Sequence, residues 1–240
     1  MANYELMYWS VPFRGQFVRA TLAFAGARWN ETDDGAISAL MDGPVTKMPV
    51  PFMGPPVLVN RDSGFAVSQM PAILLYLGET FELMPASPEH RALAMKVVND
   101  ANDVIDELTL NGGRDMWTKE RWQKSIPRLR KWMSMWEELG ARHGLTETEG
   151  HLLGGSKPGI ADIVTATLWT TIADRFSHLA ALLAEEAPRT LAMSRRLYEL
   201  PSLAALSVRA FEEYGDAYAG GQIGASMAAM LDDKGQSGDG

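Results

Sequence analysis

The sequence contains no cysteine in its 240 residues. This absence excludes disulfide bonds, thiolate metal sites and a cysteine nucleophile. The composition is compatible with a reducing compartment, and we expect a cytoplasmic protein. Any thiol chemistry that this chain performs must therefore use a thiol supplied by another molecule.

Basic residues and long apolar runs are also scarce. The 30 acidic residues outnumber the 22 basic ones, and the net charge of -8 speaks against a nucleic-acid or anionic-membrane binder. No window approaches the roughly 20 apolar residues of a membrane span, and the start MANYELMYW lacks a targeting pattern. The four histidines show no metal-ligand spacing, and there is no glycine-rich phosphate loop. We therefore expect neither nucleic-acid nor membrane partners, and no metal site.

The first third of the chain alternates between strand and helix patterns. Residues 4–9 predict a strand, and the run from Arg14 to Gly26 predicts a helix. Residues 33–53 are rich in proline and predict a loop with at most a short helix. Two short apolar runs, PVLV and FAV, flank a turn and predict a hairpin, after which a helix begins near Gln69. The order is βαβ followed by ββα.

The rest of the chain has helical periodicity. The segment 78–88 carries two prolines and predicts a linker. Beyond it, apolar residues recur every three or four positions, and the run GIADIVTATLWTTIADRF is apolar all round, as in a buried central helix. We expect an α/β domain over residues 1–82, an all-α domain over 88–218, and a partly disordered tail over 219–240.

Three features could carry chemistry, and each has a simpler alternative. Pro56 precedes the strand VLV, where a cis peptide would expose backbone groups for pairing with a bound peptide; an ordinary trans proline is the alternative. The helix start at Gln69 and Met70 would attract a carboxylate, or is simply capped. Tyr8, at the end of the first strand, could donate a hydrogen bond to a thiolate, or only pack.

The chain resembles the tyrosine-type glutathione transferases, the pi, mu and sigma classes, over almost its whole length. The resemblance rests on YWSVPFRGQFVRATLAFAG, PPVLV and SQMPAILLYLGE. It implies a thioredoxin-like N-terminal domain followed by an all-helical bundle that holds the second substrate. It implies that Tyr8 is the catalytic donor, with Ser10 as second choice. It also implies a set of glutathione-binding residues: Arg14, Lys47, Pro55, Pro56 as the cis-proline, Gln69, Met70, and Asp103 reaching across a dimer.

The match has three departures. Met70 replaces the family's serine, Gly54 replaces a glutamine, and Gly159 replaces the serine of a capping box whose aspartate is Asp162. Asp103 has an equally strong alternative as a solvated carboxylate on a helix face. We interpret Asp162 as structural.

The resemblance implies a homodimeric detoxification enzyme that ionises bound glutathione, so that the thiolate attacks a hydrophobic electrophilic small molecule. Glutathione is then a cosubstrate, and no cofactor is needed. Two alternatives remain: a glutathione-dependent isomerase or peroxidase on the same fold, and a non-catalytic binding protein that keeps the scaffold.

Overall fold

The computed structural model describes residues 3–231, with residues 111 and 112 described by their backbone alone. A thioredoxin-like α/β domain is followed by a bundle of helices, as the sequence predicts. Its strands are β1 (Asn3–Met7), β2 (Arg28–Thr32), β3 (Val57–Asn60) and β4 (Ala66–Ser68). The helices of this domain are α1 (Phe13–Phe24), α2 (Asp34–Asp42) and α3 (Met70–Thr80), with a 3-10 helix at Val45–Lys47.

The second part of the chain consists of helices. They are α4 (Pro88–Leu108), α5 (Leu110–Gly113), α6 (Lys119–Arg142), α7 (Ile160–Arg175), α8 (Ser177–Glu186), α9 (Pro188–Tyr198), α10 (Pro201–Tyr214) and α11 (Gly221–Leu231). The run predicted as a buried central helix is α7, which packs against α1, α4, α8 and α9. Within residues 3–231, no helix has both the length and the apolar character that crossing a membrane requires.

The sheet has the strand order β2-β1-β3-β4. β1 and β2 are parallel, whereas β3 runs antiparallel to both β1 and β4. Because side chains alternate along a strand, Tyr4, Leu6 and Tyr8 enter the core shared with α1, α3 and the helical bundle. Met7 points to the opposite face, where it packs with Ile37 of α2. This alternation places the ring of Tyr8 beside α1.

Two segments are more ordered than the sequence predicted. The proline-rich stretch contains the nine-residue helix α2, whose N-cap Asp33 accepts a hydrogen bond from the Ala36 N–H at 3.0 Å. The segment expected to be a tail contains α11, which begins at Gly221, whose φ is 64°. Residues 232–240, also expected to be disordered, lie outside the described residues. The division into domains 1–82 and 88–218 stays a prediction.

Candidate functional site

Tyr8 lies just after β1, at the turn into α1. Its side chain is only 4% exposed, and its hydroxyl oxygen accepts a hydrogen bond of 2.9 Å from the backbone N–H of Arg14. Burial raises the pKa of Tyr8 to about 12, although the Arg14 N–H and the charges of Arg14 and Arg19 act in the opposite direction. The phenol therefore keeps its proton at neutral pH. The bond from Arg14 uses a lone pair of the oxygen and not the O–H proton, so the phenol can still donate that proton to another group.

A cleft of about 460 Å³ opens beside Tyr8 between the two parts of the chain. The α/β domain contributes the Tyr8 turn, Arg14 and Pro55, and the helical part contributes Thr109, Gly113 and Ile223. On the helical side the cleft is lined mainly by small and apolar residues, which face the hydroxyl groups of Tyr8 and Ser10 across it. A small hydrophobic molecule could lie against that wall with its reactive atom near the phenol.

Ser10 also lines the cleft, but its hydroxyl is engaged. Its Oγ donates to Asp34 Oδ1 at 3.2 Å, and its backbone N–H donates to the same oxygen at 3.1 Å. Asp34 is the first residue of α2. While this bond lasts, the Ser10 proton is directed at a carboxylate and not at a sulfur atom, which favours Tyr8 as the donor.

The Pro55–Pro56 peptide bond is cis, as the sequence predicted. Pro55 lines the cleft, whereas Pro56 is buried and its carbonyl accepts from the Gln69 N–H at 3.2 Å. Pro55 itself has no N–H group, so it can offer a bound peptide only its carbonyl. The motif implies that this residue pairs with a bound peptide through both its N–H and its carbonyl. In this chain only the carbonyl remains for that pairing.

The helix start at α3 combines an exposed residue with a buried one. Gln69 is exposed and adopts a left-handed φ of 75°, while the side chain of Met70 is fully buried in the core. Met70 therefore serves packing at the position where the family has a serine hydroxyl. The first N–H groups of a helix have no intrahelical partner, so the Met70 N–H is the group that this position can offer to a carboxylate.

Arg14 connects the cleft to the helical bundle. Its Nε donates to Asn102 Oδ1 at 3.0 Å, and its Nη2 lies 3.3 Å from Asp106 Oδ1. Both partners are on α4, one turn apart. The sequence alone did not single out Asn102, Asp106 or Asp34, because each is distant along the chain from the residue that it contacts.

The remaining predicted site residues lie apart from this cleft. Lys47 is exposed at the end of the 3-10 helix, and Asp103 is exposed on α4. Partial burial and the neighbouring carboxylates of Asp100, Glu107 and Asp106 raise the pKa of Asp103. Among the described residues, the cleft lining includes Tyr8, Ser10, Arg14 and Pro55 but not Lys47, Pro56, Gln69, Met70 or Asp103.

Asp162 has the structural role expected of it. It is 4% exposed, and its two oxygens accept from the Leu152 N–H at 2.7 Å and the Gly159 N–H at 2.8 Å. The carboxylate thus fixes the start of α7 and the loop before it. It lies far along the chain from the cleft residues and lines a separate cavity under the linker.

Comparison with known proteins gives consistent matches. The model of the glutathione S-transferase C-terminal domain matches residues 93–230, more than half of the chain. The hematopoietic prostaglandin D synthase of Gallus gallus is 27% identical over 211 residues, which cover 85% of this chain and 95% of that protein.

Two solved structures share the fold. The pi-class glutathione S-transferase of Onchocerca volvulus is 17% identical, with a TM-score of 0.70 and coverage of 90% of this chain and 97% of that one. The monomeric Na-GST-3 of the hookworm Necator americanus is 18% identical, with a TM-score of 0.69 and coverage of 86% and 97%. With the domain model matching most of the helical part behind a thioredoxin-like domain, this chain belongs to the glutathione S-transferase family.

Proposed function

We propose that this chain binds glutathione in the cleft beside Tyr8 and activates its thiol for attack on a hydrophobic electrophile. The single observation that carries the proposal is the placement of the Tyr8 hydroxyl: its oxygen accepts from the Arg14 N–H, and the residue lines the cleft. Burial raises the pKa of Tyr8 to about 12, so the phenol keeps its proton at neutral pH. A phenol in this state donates to an anion and does not compete with it for a proton.

One hydrogen bond from Tyr8 is strong enough to lower the pKa of the glutathione thiol by about two units. Lowering a thiol pKa by two units corresponds to about 2.7 kcal/mol. A hydrogen bond to a charged group contributes about 1.5–3 kcal/mol. The thiol proton leaves to solvent, the sulfur lone pair forms a bond to the electrophilic carbon, and the leaving group departs with its electron pair. The chain supplies binding and electrostatics, and glutathione supplies the nucleophile.

The rest of the tripeptide would extend to groups that lie outside the cleft lining. We propose that the Pro55 carbonyl pairs with the cysteinyl N–H, that the Met70 N–H and Gln69 receive the γ-glutamyl end, and that Lys47 meets the glycyl carboxylate. Pro55 lacks an N–H, Met70 lacks a hydroxyl and Gly54 lacks a side chain. We therefore expect a higher KM for glutathione than the family motif alone would give.

The Tyr8→Phe variant tests the proposal. Since only the donor is removed, we expect the rate of glutathione conjugation with 1-chloro-2,4-dinitrobenzene to fall about 10- to 100-fold, the loss of one hydrogen bond to a charge. Retention on immobilised glutathione and the thermal unfolding midpoint should remain. Tyr76→Phe is the matched control, because its phenol is in the same domain and accepts from Asn60 Nδ2 instead.

An undiminished rate for Tyr8→Phe would contradict the role of the phenol and direct attention to Ser10→Ala. Wild-type protein that is retained on glutathione but turns over none of a panel of electrophiles would support the non-catalytic alternative. Wild-type protein that is neither retained nor active would point to a different ligand.

A glutathione-dependent isomerase is the second candidate function. The similarity to a prostaglandin D synthase favours it. An isomerase would use the same thiolate and release glutathione unchanged after each turnover. Measuring whether glutathione is consumed in proportion to product separates the two functions.

We also propose a homodimer in which Asp103 reaches the partner's glutathione site. Asp103 is exposed and does not line the cleft of its own chain within the described residues, as a residue that acts across an interface would not. Light scattering gives the mass in solution, and a monomer would remove this role. The cytoplasmic location stays a proposal.

A further inference from the structure

A buried arginine lies behind the catalytic turn. Arg19, on α1, is 1% exposed, and its Nε and Nη2 form a fork with the carboxylate of Glu31 on β2, with distances of 2.6–3.1 Å. Burial lowers the pKa of Arg19, but the hydrogen bonds and charge of Glu31 more than offset this, so the pKa lies above its ordinary value. Arg19 is thus a permanently charged group inside the domain.

The remaining donors of Arg19 hold the backbone that follows Tyr8. Nη1 donates to the carbonyl of Val11 at 2.9 Å and to that of Pro12 at 3.3 Å, and Nη2 donates to the carbonyl of Trp9 at 3.4 Å. These carbonyls cover most of the turn between Tyr8 and α1. One side chain therefore fixes the path of the turn that carries both Tyr8 and Ser10.

Arg19 also faces the ring of Tyr8 directly. Its Cζ lies 5.7 Å from the ring centroid, within the range of a cation–π contact. Gly15 lies against the same ring, because a Cβ built there would be 2.2 Å from Tyr8 Cδ1 and 3.0 Å from Arg19 Nη1. The phenol is thus enclosed by Gly15 and Arg19, while the Arg14 N–H fixes its oxygen.

Glu31 itself is held by neighbours from two elements. The Trp29 indole N–H donates to its Oε1 at 3.1 Å, and Arg209 of α10 lies 4.0 Å from the same oxygen. The Arg19 guanidinium is buried whereas Glu31 is partly exposed, and removing the carboxylate would leave the buried cation without its partner, which is costly. This network makes the position of the Arg19 guanidinium well defined.

We propose that Arg19, held by Glu31, is the positioning residue for Tyr8, so that the phenol meets the sulfur at the correct place. This inference rests on the proposed function. Arg19 touches neither the thiol nor the electrophile; it acts through the Tyr8 ring and the carbonyls of the turn. Replacing Arg19 should leave the Tyr8 hydroxyl present but displaced from its position.

The test compares Arg19→Met, which removes the charge, with Arg19→Lys, which keeps the charge but lacks the fork. For Arg19→Met, we expect kcat with 1-chloro-2,4-dinitrobenzene to fall by at least about tenfold while the KM for glutathione changes little. The acid limb of the pH profile of kcat/KM should move up by about one unit, because the thiolate loses its donor. Arg19→Lys should recover part of both effects.

The matched control is Arg61→Met. Arg61 is also paired with a carboxylate, that of Glu5, but it lies near the opposite end of β1, where its N–H donates to the Asn3 carbonyl. This variant should keep the wild-type pH profile. If Arg19→Met keeps the wild-type kcat per folded molecule and the wild-type pH profile, the proposal is overturned and Arg19 is only a stabilising residue.

Two further measurements keep the result decisive. Should Arg19→Met fail to fold, Glu31→Gln keeps the shape of the pair, and we expect it to move the pH profile in the same direction; an unmoved profile overturns the proposal.

Fluorotyrosine NMR of the ligand-free protein, with Tyr8→Phe for assignment, reports the Tyr8 ring without glutathione. A Tyr8 signal changed by Arg19→Met supports positioning even if the wild type conjugates nothing, and an unchanged signal contradicts it.

Discussion

Gly15 is the residue on which the placement of the Tyr8 ring depends most directly. The glycine sits in the first turn of α1, where alanine is intrinsically about 1 kcal/mol more favourable. The ring of Tyr8 occupies the volume that a methyl group would fill. The residue at this position therefore has a low helix propensity, but its lack of a side chain lets the helix contact the Tyr8 ring.

We expect Gly15→Ala to lower kcat about tenfold and to destabilise the fold by about 1–3 kcal/mol, the usual cost of overpacking. The added Cβ would lie 2.2 Å from Tyr8 Cδ1, so the ring has to move. Conjugation kinetics and urea unfolding measure the two effects. Gly35→Ala in α2 is the control, since its methyl would meet only the Asp33 side chain, at 3.2 Å. Equal stability of Gly15→Ala and wild type would contradict this packing.

Single residues were predictable from the sequence where a local motif defines them. The place of Tyr8 at the end of β1 and the cis bond before Pro56 follow from the family motif and the strand beside each of them, whereas the catalytic role of Tyr8 stays a prediction. The partners of Ser10 and Arg14 were not predictable in this way, because Asp34 is 24 residues from Ser10 and Asn102 is 88 residues from Arg14. Such contacts depend on how α2 and α4 pack, and a single sequence does not show that packing.

Among the elements, the start of α7 explains one departure from the family motif. Gly159 stands where the family has a capping serine, and a Cβ at this position would be 2.9 Å from the carbonyl oxygen of Leu83. The same oxygen accepts from the Ile160 N–H at 2.9 Å, so the linker is held against the helix start. The glycine thus reflects close backbone packing and gives no support to the non-catalytic alternative.

We expect Gly159→Ser to lower the free energy of unfolding by about 1–3 kcal/mol, through overpacking, although serine is ordinarily the better cap. The clash is with backbone, which cannot turn aside as a side chain can. Chemical denaturation measures the change, with Ser87→Ala at the start of α4 as a benchmark for loss of a working cap. A stabilised Gly159→Ser would mean that the linker yields easily.

The elements were predicted well where their periodicity is strong. α4 and α6 follow from apolar residues at helical spacing, and α7 follows from a long run that is apolar all round. α2 was underestimated because prolines follow it closely, and α11 was missed because the tail composition of DDKGQSGDG, residues 232–240, was extended back to residue 219. Tertiary contacts stabilise α11: Ile223 lines the cleft, and Ser226 Oγ accepts a hydrogen bond from the Trp117 backbone N–H at 3.2 Å.

At the scale of the whole molecule, buried tyrosines dominate the response to alkaline pH. Burial raises the pKa of five tyrosines above the ordinary value of about 10. Tyr4, Tyr8, Tyr198 and Tyr214 reach about 12, and Tyr218 is raised further. Between pH 10 and 12 the unfolded chain therefore loses protons that the folded chain keeps, and this difference favours unfolding.

We expect the free energy of unfolding to fall steeply as the pH rises above about 10, with little contribution from these groups below that value. Urea unfolding at pH 8, 10 and 11 measures the slope. Tyr198→Phe should make the slope shallower, because it removes one of the five groups while the ring stays in place. A slope that is flat from pH 8 to 11 would contradict the prediction.

The contact of Arg14 with Asn102 and Asp106 has a consequence for engineering. A wall of the cleft is shared by two halves of the chain that a designer would otherwise exchange as separate modules. A hybrid that takes its α/β half from this protein and its helical half from a relative would have to carry the α4 amide and carboxylate along with the guanidinium. A junction placed in the linker, residues 78–88, would otherwise separate Arg14 from both of its partners.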